Sequence, residues 1–279
     1  MITNAVIPVA GVGSRMAPIT AAVPKALLPL PREDGSWLAV LHHILIEASS
    51  AGVSSAGVVV SPGHRPMIEE YLQAASASGP RLPAIELIIQ DKPAGFGDAV
   101  LLSRDYVKGR PFLLMLGDHV YCTQAGQKSP AAQVAQAFER TSPEAMIGVQ
   151  PVGANQLDLV GVCAGEPVRD DVFACTAFVE KPGLAAAQRL TTPGLAVGRW
   201  LAHCGIYAFA PSIFDVLGEL KSAASAKELA LSDAQSLLLS RRPESYRLCR
   251  IHGAAYDTGS PQSYAAAMRA MLDRIAPQS

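Results

Sequence analysis

A glycine turn bearing two permanent cations opens the candidate chemistry. In Val9-Ala10-Gly11-Val12-Gly13-Ser14-Arg15-Met16 two residues lack a Cβ, and Lys25 follows in Pro24-Lys25. Backbone N–H groups in such a turn can converge on an anion, and glycine lets a ligand approach the main chain closely. With Arg15 and Lys25 added, the segment suits phosphate. It is not a P-loop, because G-x-x-x-x-G-K-[ST] occurs nowhere in the chain. It is not a dinucleotide fingerprint either, because Met16 stands where the third glycine belongs and Pro18 interrupts the helix that should follow. The plainer alternative is a turn that joins a strand to a loop and holds nothing.

Four further groups stand out. Asp118 closes the apolar run 112–116, a costly place for a carboxylate unless something pairs with it, although an N-cap is an equal reading. Asp257, in Ala255-Tyr256-Asp257-Thr258-Gly259-Ser260-Pro261, is either a second isolated carboxylate or a turn leading into a helix start. Glu180-Lys181-Pro182 ends a strand-like run and is by itself no more than an ion pair before a proline. Gln90, before a loop containing Gly95, carries an amide that both donates and accepts, as recognition of a base edge requires.

The elements needed to position these residues are legible in outline. Apolar runs at 5–9, 57–60, 85–89 and 112–116 read as strands. Helical spacing places helices over 37–48, with Gly52 as the stop, over 67–75, and from the Gly95 loop through Val107. Adjacent His42 and His43 would not share a helix face, so they make a poor metal pair. This alternation implies a mostly parallel, doubly wound α/β sheet whose functional loops lie at the carboxyl ends of the strands. From about 146 the texture changes to short strands at 146–149, 160–163, 173–179 and 203–209, which predicts antiparallel or mixed additions to the same sheet. Helices over 211–220 and 228–240, a strand over 246–251 and a terminal helix over 260–275 complete the reading, with 221–227 as a surface loop.

Composition narrows the class. The 279 residues are 49% hydrophobic and 6% aromatic, enough to bury a sizeable core. A net charge of -1 speaks against a general nucleic-acid binder. Cys122, Cys163, Cys175, Cys204 and Cys249 contain no C-x-x-C pair, so the expectation is buried free thiols in a reducing compartment. No leader pattern and no bilayer-length apolar run occurs, which predicts a cytoplasmic protein with no membrane partner.

The full string Gly11-x-Gly13-x-Arg15-x-x-Pro18-x-Thr20 with Pro24-Lys25 resembles the signature loop of the sugar-1-phosphate nucleotidyltransferases, and residues 5–11 are most similar to their uridylyl branch. Leu116-Gly117-Asp118, Glu180-Lys181-Pro182, the Asp257-Thr258-Gly259 turn and Glu228-Leu229-Ala230-Leu231-Ser232-Asp233-Ala234 resemble further family motifs, in family order, over about residues 4–270. The resemblance implies a Rossmann-like doubly wound mixed sheet of the nucleotide-diphospho-sugar transferase (GT-A-like) kind. It implies one nucleotidyltransferase domain over 1–279, with a nucleotide half at about 1–125, a sugar half at about 145–265 and the helix 260–275.

It also implies roles. Arg15 and Lys25 would be catalytic, Ala10, Gly11 and Gly13 would hold the nucleotide, and Gln90 and Gly95 would receive uracil or thymine. Gly161, Glu180, Lys181 and Glu228 would take the sugar phosphate, and Asp118 and Asp257 would bind Mg²⁺. The implied reaction is UTP plus α-D-glucose 1-phosphate giving UDP-glucose and pyrophosphate, in a homodimer or homotetramer. Within the class the alternatives are dTTP or another sugar 1-phosphate, and outside it a non-catalytic nucleotide-sugar-binding protein. Ser14 replaces the family's usual Thr, and Cys204-Gly205-Ile206-Tyr207 stands where the uridylyl branch tends to have V-G-R-Y.

Overall fold

Strand β1 (Asn4–Pro8) is buried along its whole length, and its side chains divide between two cores. Ala5 and Ile7 enter one and Val6 the other, which is why a two-sided strand reads as an unbroken apolar run. The computed structural model describes residues 1–76, 82–223 and 228–275. After β1 the chain runs through β2 (Pro29–Pro31), β3 (Trp37–Ala39), α1 (Val40–Ser50), β4 (Ser55–Val60), α2 (Arg65–Ser76) and β5 (Ala84–Ile89). It continues through α3 (Phe96–Leu102), α4 (Arg104–Val107), β6 (Phe112–Met115), β7 (His119–Thr123) and α5 (Pro130–Thr141). The later part holds β8 (Ala145–Val152), β9 (Gly161–Arg169), β10 (Val172–Glu180), α6 (Leu184–Ala187) and β11 (Trp200–Phe209). It ends with α7 (Ile213–Ala223), α8 (Leu231–Arg241), β12 (Tyr246–Arg250), β13 (Gly253–Asp257) and α9 (Pro261–Leu272).

The main sheet has the order β5-β4-β1-β6-β11-β8-β12-β10-β9. Strands β5, β4, β1 and β6 are mutually parallel. Beyond them β11 runs antiparallel to β6 and β8, and β10 antiparallel to β12 and β9. The change of texture near residue 146 is thus the change from parallel to mixed pairing within one sheet. Helices α1, α2, α5 and α9 pack on one face and α3, α4, α7 and α8 on the other, giving the doubly wound arrangement. A smaller core around Leu157, Val162 and Trp200 lies beside β9, which pairs with β11 as well as with β10. All five cysteines are buried and free. Among the described residues, no helix is long and apolar enough to cross a membrane.

Several boundaries differ from the sequence reading. Trp37 and Leu38 have helical spacing with Leu41 and Ile44, yet they lie in β3, where Trp37 pairs with Pro31 and Leu38 with Leu30. The helix begins only at Val40, whose N–H donates to Leu28 O. The helix expected through Val107 is broken at Ser103, whose buried hydroxyl turns back to Val100 O at 2.6 Å. Glu228 is not helical: α8 starts at Leu231, because the Leu229 backbone is tied across the Gly95 loop through Ala94 O and the Gly97 N–H, both at 2.8 Å. Lys221 to Ala223 close α7 rather than open a loop, and the remainder of that expected loop, 224–227, lies outside the described residues. Strand β7 and helix α5 have no counterpart in the sequence reading.

Candidate active site

The glycine loop leaves β1 at the carboxyl edge of the parallel strands. Gly13 takes a left-handed φ of 68°, and a Cβ there would meet the Thr20 methyl at 2.9 Å, so only glycine fits. The Thr20 hydroxyl donates to Gly13 O at 2.9 Å and closes the loop on itself. Short 3₁₀ turns at Ser14–Met16, Ile19–Ala21 and Lys25–Leu27 replace the helix that a dinucleotide site would need. They leave Arg15 and Lys25 on the cavity side.

The two carboxylates meet because of pairing outside the main sheet. Strands β7 and β13 form an antiparallel ribbon in which Asp257 stands opposite His119, directly after Asp118. The Thr258 N–H and hydroxyl both donate to Asp118 O, at 2.7 and 2.8 Å, and pin the two turns together. One ligand atom each from Asp118, His119 and Asp257 lies within 4.8 Å of the other two. Lys25 Nζ lies 2.6 Å from Asp118 Oδ2, and His119 Nδ1 lies 3.1 Å from Asp118 Oδ1. Burial would raise the Asp118 carboxyl, but the His119 hydrogen bond and the Lys25 charge more than reverse this and hold it far below the usual carboxylate range. Gly259 completes the cluster: a Cβ there would sit 2.6 Å from Arg15 Nη2, 2.9 Å from Asp257 Oδ1 and 3.1 Å from Asp118 Oδ2. The missing side chain therefore leaves this corner of the cavity open to the Arg15 guanidinium and both carboxylates. Two carboxylates with room for phosphate oxygens and water fit Mg²⁺, a hard cation, and the His119 imidazole adds a nitrogen at the third corner.

On the wall formed by the first half, Gln90 directly follows β5 and is buried. Its amide nitrogen donates to Asp98 Oδ2 at 2.9 Å and to Gly95 O at 3.1 Å. Gly95 has a φ of 106°, and the space a Cβ would need is filled by the Leu229 backbone. That crossing segment carries exposed Glu228 at the rim of the cavity.

On the opposite wall Gly161 pairs with Glu180 across β9 and β10. The Glu180 carboxylate, the Phe178 ring and His203 Nδ1 converge over Gly161. Burial pushes the Glu180 carboxyl up, opposed by the Lys181 charge. Lys181 itself has a positive φ of 48°. The His203 ring stacks on Phe178 at 4.7 Å, lies 3.2 Å from Cys163 Sγ through Nε2, and burial pushes it down to about 3, so it is neutral.

One cavity of about 690 Å³ joins all of this. Ala10, Gly11, Arg15, Lys25, Gln90, Gly95, Asp118, Glu180, Lys181, Glu228 and Asp257 line it. Gly13 and Gly161 do not; they support the lining from behind. Sequence reasoning assigns no role to His119, His203 or Asp98. His119 is detectable only as the neighbour of Asp118, and His203 lies in a buried strand whose pattern says nothing about a pocket. Asp98 reads as an ordinary acidic residue in the first turn of α3.

A family model described as nucleotidyl transferase matches residues 4–274. The UTP–glucose-1-phosphate uridylyltransferase 1 of Staphylococcus saprophyticus is 28% identical, with 92% of this chain and 88% of that protein covered. The UTP–glucose-1-phosphate uridylyltransferase of Pseudomonas aeruginosa is 26% identical, with 95% and 94% covered. A crystal structure of UDP-glucose pyrophosphorylase complexed with UDP-glucose superposes with a TM-score of 0.81 over 98% of this chain and 100% of that one. At 23% identity that likeness establishes the fold, a mixed sheet of the GT-A-like kind.

Proposed function

The chain belongs to the nucleotidyl transferase family, and on that premise we propose that it converts UTP and α-D-glucose 1-phosphate to UDP-glucose and pyrophosphate with Mg²⁺. The observation that carries this reading is the shared cavity, in which an amide suited to a base and a carboxylate–lysine pair suited to a sugar phosphate face each other across the cationic and acidic centre. The names of the relatives add the choice of UTP and glucose 1-phosphate. Residues 1–279 are read as one nucleotidyltransferase domain, with the base on the first wall and the sugar on the second.

The backbone of Ala10, Gly11 and Gly13 would cradle the triphosphate. Lys181 would hold the sugar phosphate while Glu180 and Glu228 accept hydrogen bonds from sugar hydroxyls. An oxygen of the sugar phosphate attacks the α-phosphorus in line, the bond to the bridging oxygen breaks, and pyrophosphate leaves. A phosphate monoester is already anionic at neutral pH, so no general base is needed. The protein supplies position and charge. Arg15 and Lys25 would neutralise the attacked group and the leaving pyrophosphate. Bound by Asp118 and Asp257, Mg²⁺ would neutralise phosphate charge and fix the two substrates against each other.

Phosphorus NMR of the protein with UTP, glucose 1-phosphate and Mg²⁺ tests the reading. The diphosphate doublets of UDP-glucose and the pyrophosphate singlet should grow together. Unchanged substrates, or faster reaction with another nucleotide, would overturn it.

A further inference from the structure

An amide at a base-reading position is ambiguous unless something fixes which end faces the ligand, because its oxygen accepts and its nitrogen donates. Here the ambiguity is removed by the neighbours. Both groups in contact with the Gln90 nitrogen, the Asp98 carboxylate and the Gly95 carbonyl, are acceptors only, and they consume both of its N–H bonds. The end left for the cavity is the carbonyl oxygen. Asp98 is in turn held from the other side: Lys221 Nζ, from α7, lies 2.8 Å from its Oδ1, while its Oδ2 serves Gln90. The Asp98 side chain is 7% exposed, so it has little freedom to look elsewhere.

Resting on the uridine reading above, we propose that Asp98, whose other oxygen pairs with Lys221, locks the Gln90 amide with its oxygen toward the base and is thereby a positioning residue for base choice. A locked acceptor rewards a base that presents a ring N–H, as uracil does at N3. Cytosine presents a bare lone pair at the same ring position, so oxygen would face lone pair, and an unpaired buried polar group is strongly selected against.

The lock makes an unusual prediction for Asp98→Asn. The substituted side chain has one oxygen, and Lys221, a pure donor, claims it. Its amide nitrogen then faces Gln90, whose own amide gains from turning over to accept from it, and the Gln90 nitrogen is offered to the base. Gly95 O resists the turn, so the change is partial. Removing Lys221 as well frees the substituted amide to point its oxygen at Gln90 again.

The test is kcat/KM for UTP and for CTP, with glucose 1-phosphate, in the wild type, Asp98→Asn, Lys221→Met and the double variant. The UTP:CTP ratio should fall about tenfold in Asp98→Asn, the worth of about one hydrogen bond between neutral groups. It should stay near wild type in Lys221→Met and recover in the double variant. An unchanged ratio in Asp98→Asn, or a fall that the double variant does not reverse, would overturn the proposal. If Asp98→Asn does not fold, Asp98→Ala removes the acceptor without adding a donor and must still lower the ratio. A wild type that prefers UTP beside an unmoved Asp98 variant refutes only the lock. A wild type that uses CTP as readily as UTP, or turns over neither, refutes the uridine reading and the lock with it.

Discussion

Asp118 is the residue on which the other charges converge. It is paired with Lys25, bonded to His119, and separated from Asp257 only by the space that Gly259 leaves open. Replacing either Asp118 or Asp257 with Ala should abolish turnover while circular dichroism stays native. A variant with near-normal activity in Mg²⁺ would reduce that residue to a turn former. Chelation of divalent cations should stop the wild type, and added Mg²⁺ should restore it. Lys25→Ala and Arg15→Ala should lower kcat far more than they raise KM for the sugar phosphate. A preorganised donor at a developing charge is typically worth about 3–4 kcal/mol in the transition state. Initial rates over a range of sugar phosphate decide this, since a variant defective only in sugar KM would have the wrong role.

At the scale of elements, the β7/β13 ribbon positions the acidic centre, and α5 braces the same region from behind. The N-terminus of α5 is capped by Ser129, and Glu47 of α1 accepts from the Ala131 N–H at 2.7 Å. Burial pushes the Glu47 carboxyl up from 4.5 to about 7. A raised folded value means that this group's stability contribution is complete below about 4.5 and is lost as pH rises through about 7, a loss of about 3 kcal/mol. Thermal melts from pH 4 to 8 should therefore show Glu47→Gln gaining on the wild type across that window. Parallel curves would mean that folding leaves the Glu47 carboxyl unshifted. The sequence made the glycine loop legible because Gly11, Gly13, Arg15 and Lys25 act within one short segment. It made β1, β4, β5 and β6 legible because buried strands must be continuously apolar. It did not show why Asp118 and Asp257 meet, because that depends on a five-residue pairing between distant segments. Trp37 misled because helical spacing is a local signal, and pairing with Pro31 outweighs it.

Across the whole molecule, one sheet provides both walls of the cavity. Its parallel part ends at Gln90 and the Gly95 loop that follows it, and its mixed part ends in Glu180 and Lys181, with the acidic ribbon between them. The central claim is that these walls hold different substrates, the first the base and the second the sugar. The most direct measurement is pyrophosphate release from a panel of nucleoside triphosphates crossed with a panel of sugar 1-phosphates, run on the wild type, Gln90→Ala and Glu180→Gln. Each substitution should cost about 1–3 kcal/mol in kcat/KM, as for a buried polar group left unpaired. Gln90→Ala should blur the choice among bases and leave sugar choice intact, and Glu180→Gln should do the reverse. Base selectivity moving with Glu180, or sugar selectivity with Gln90, would contradict the account.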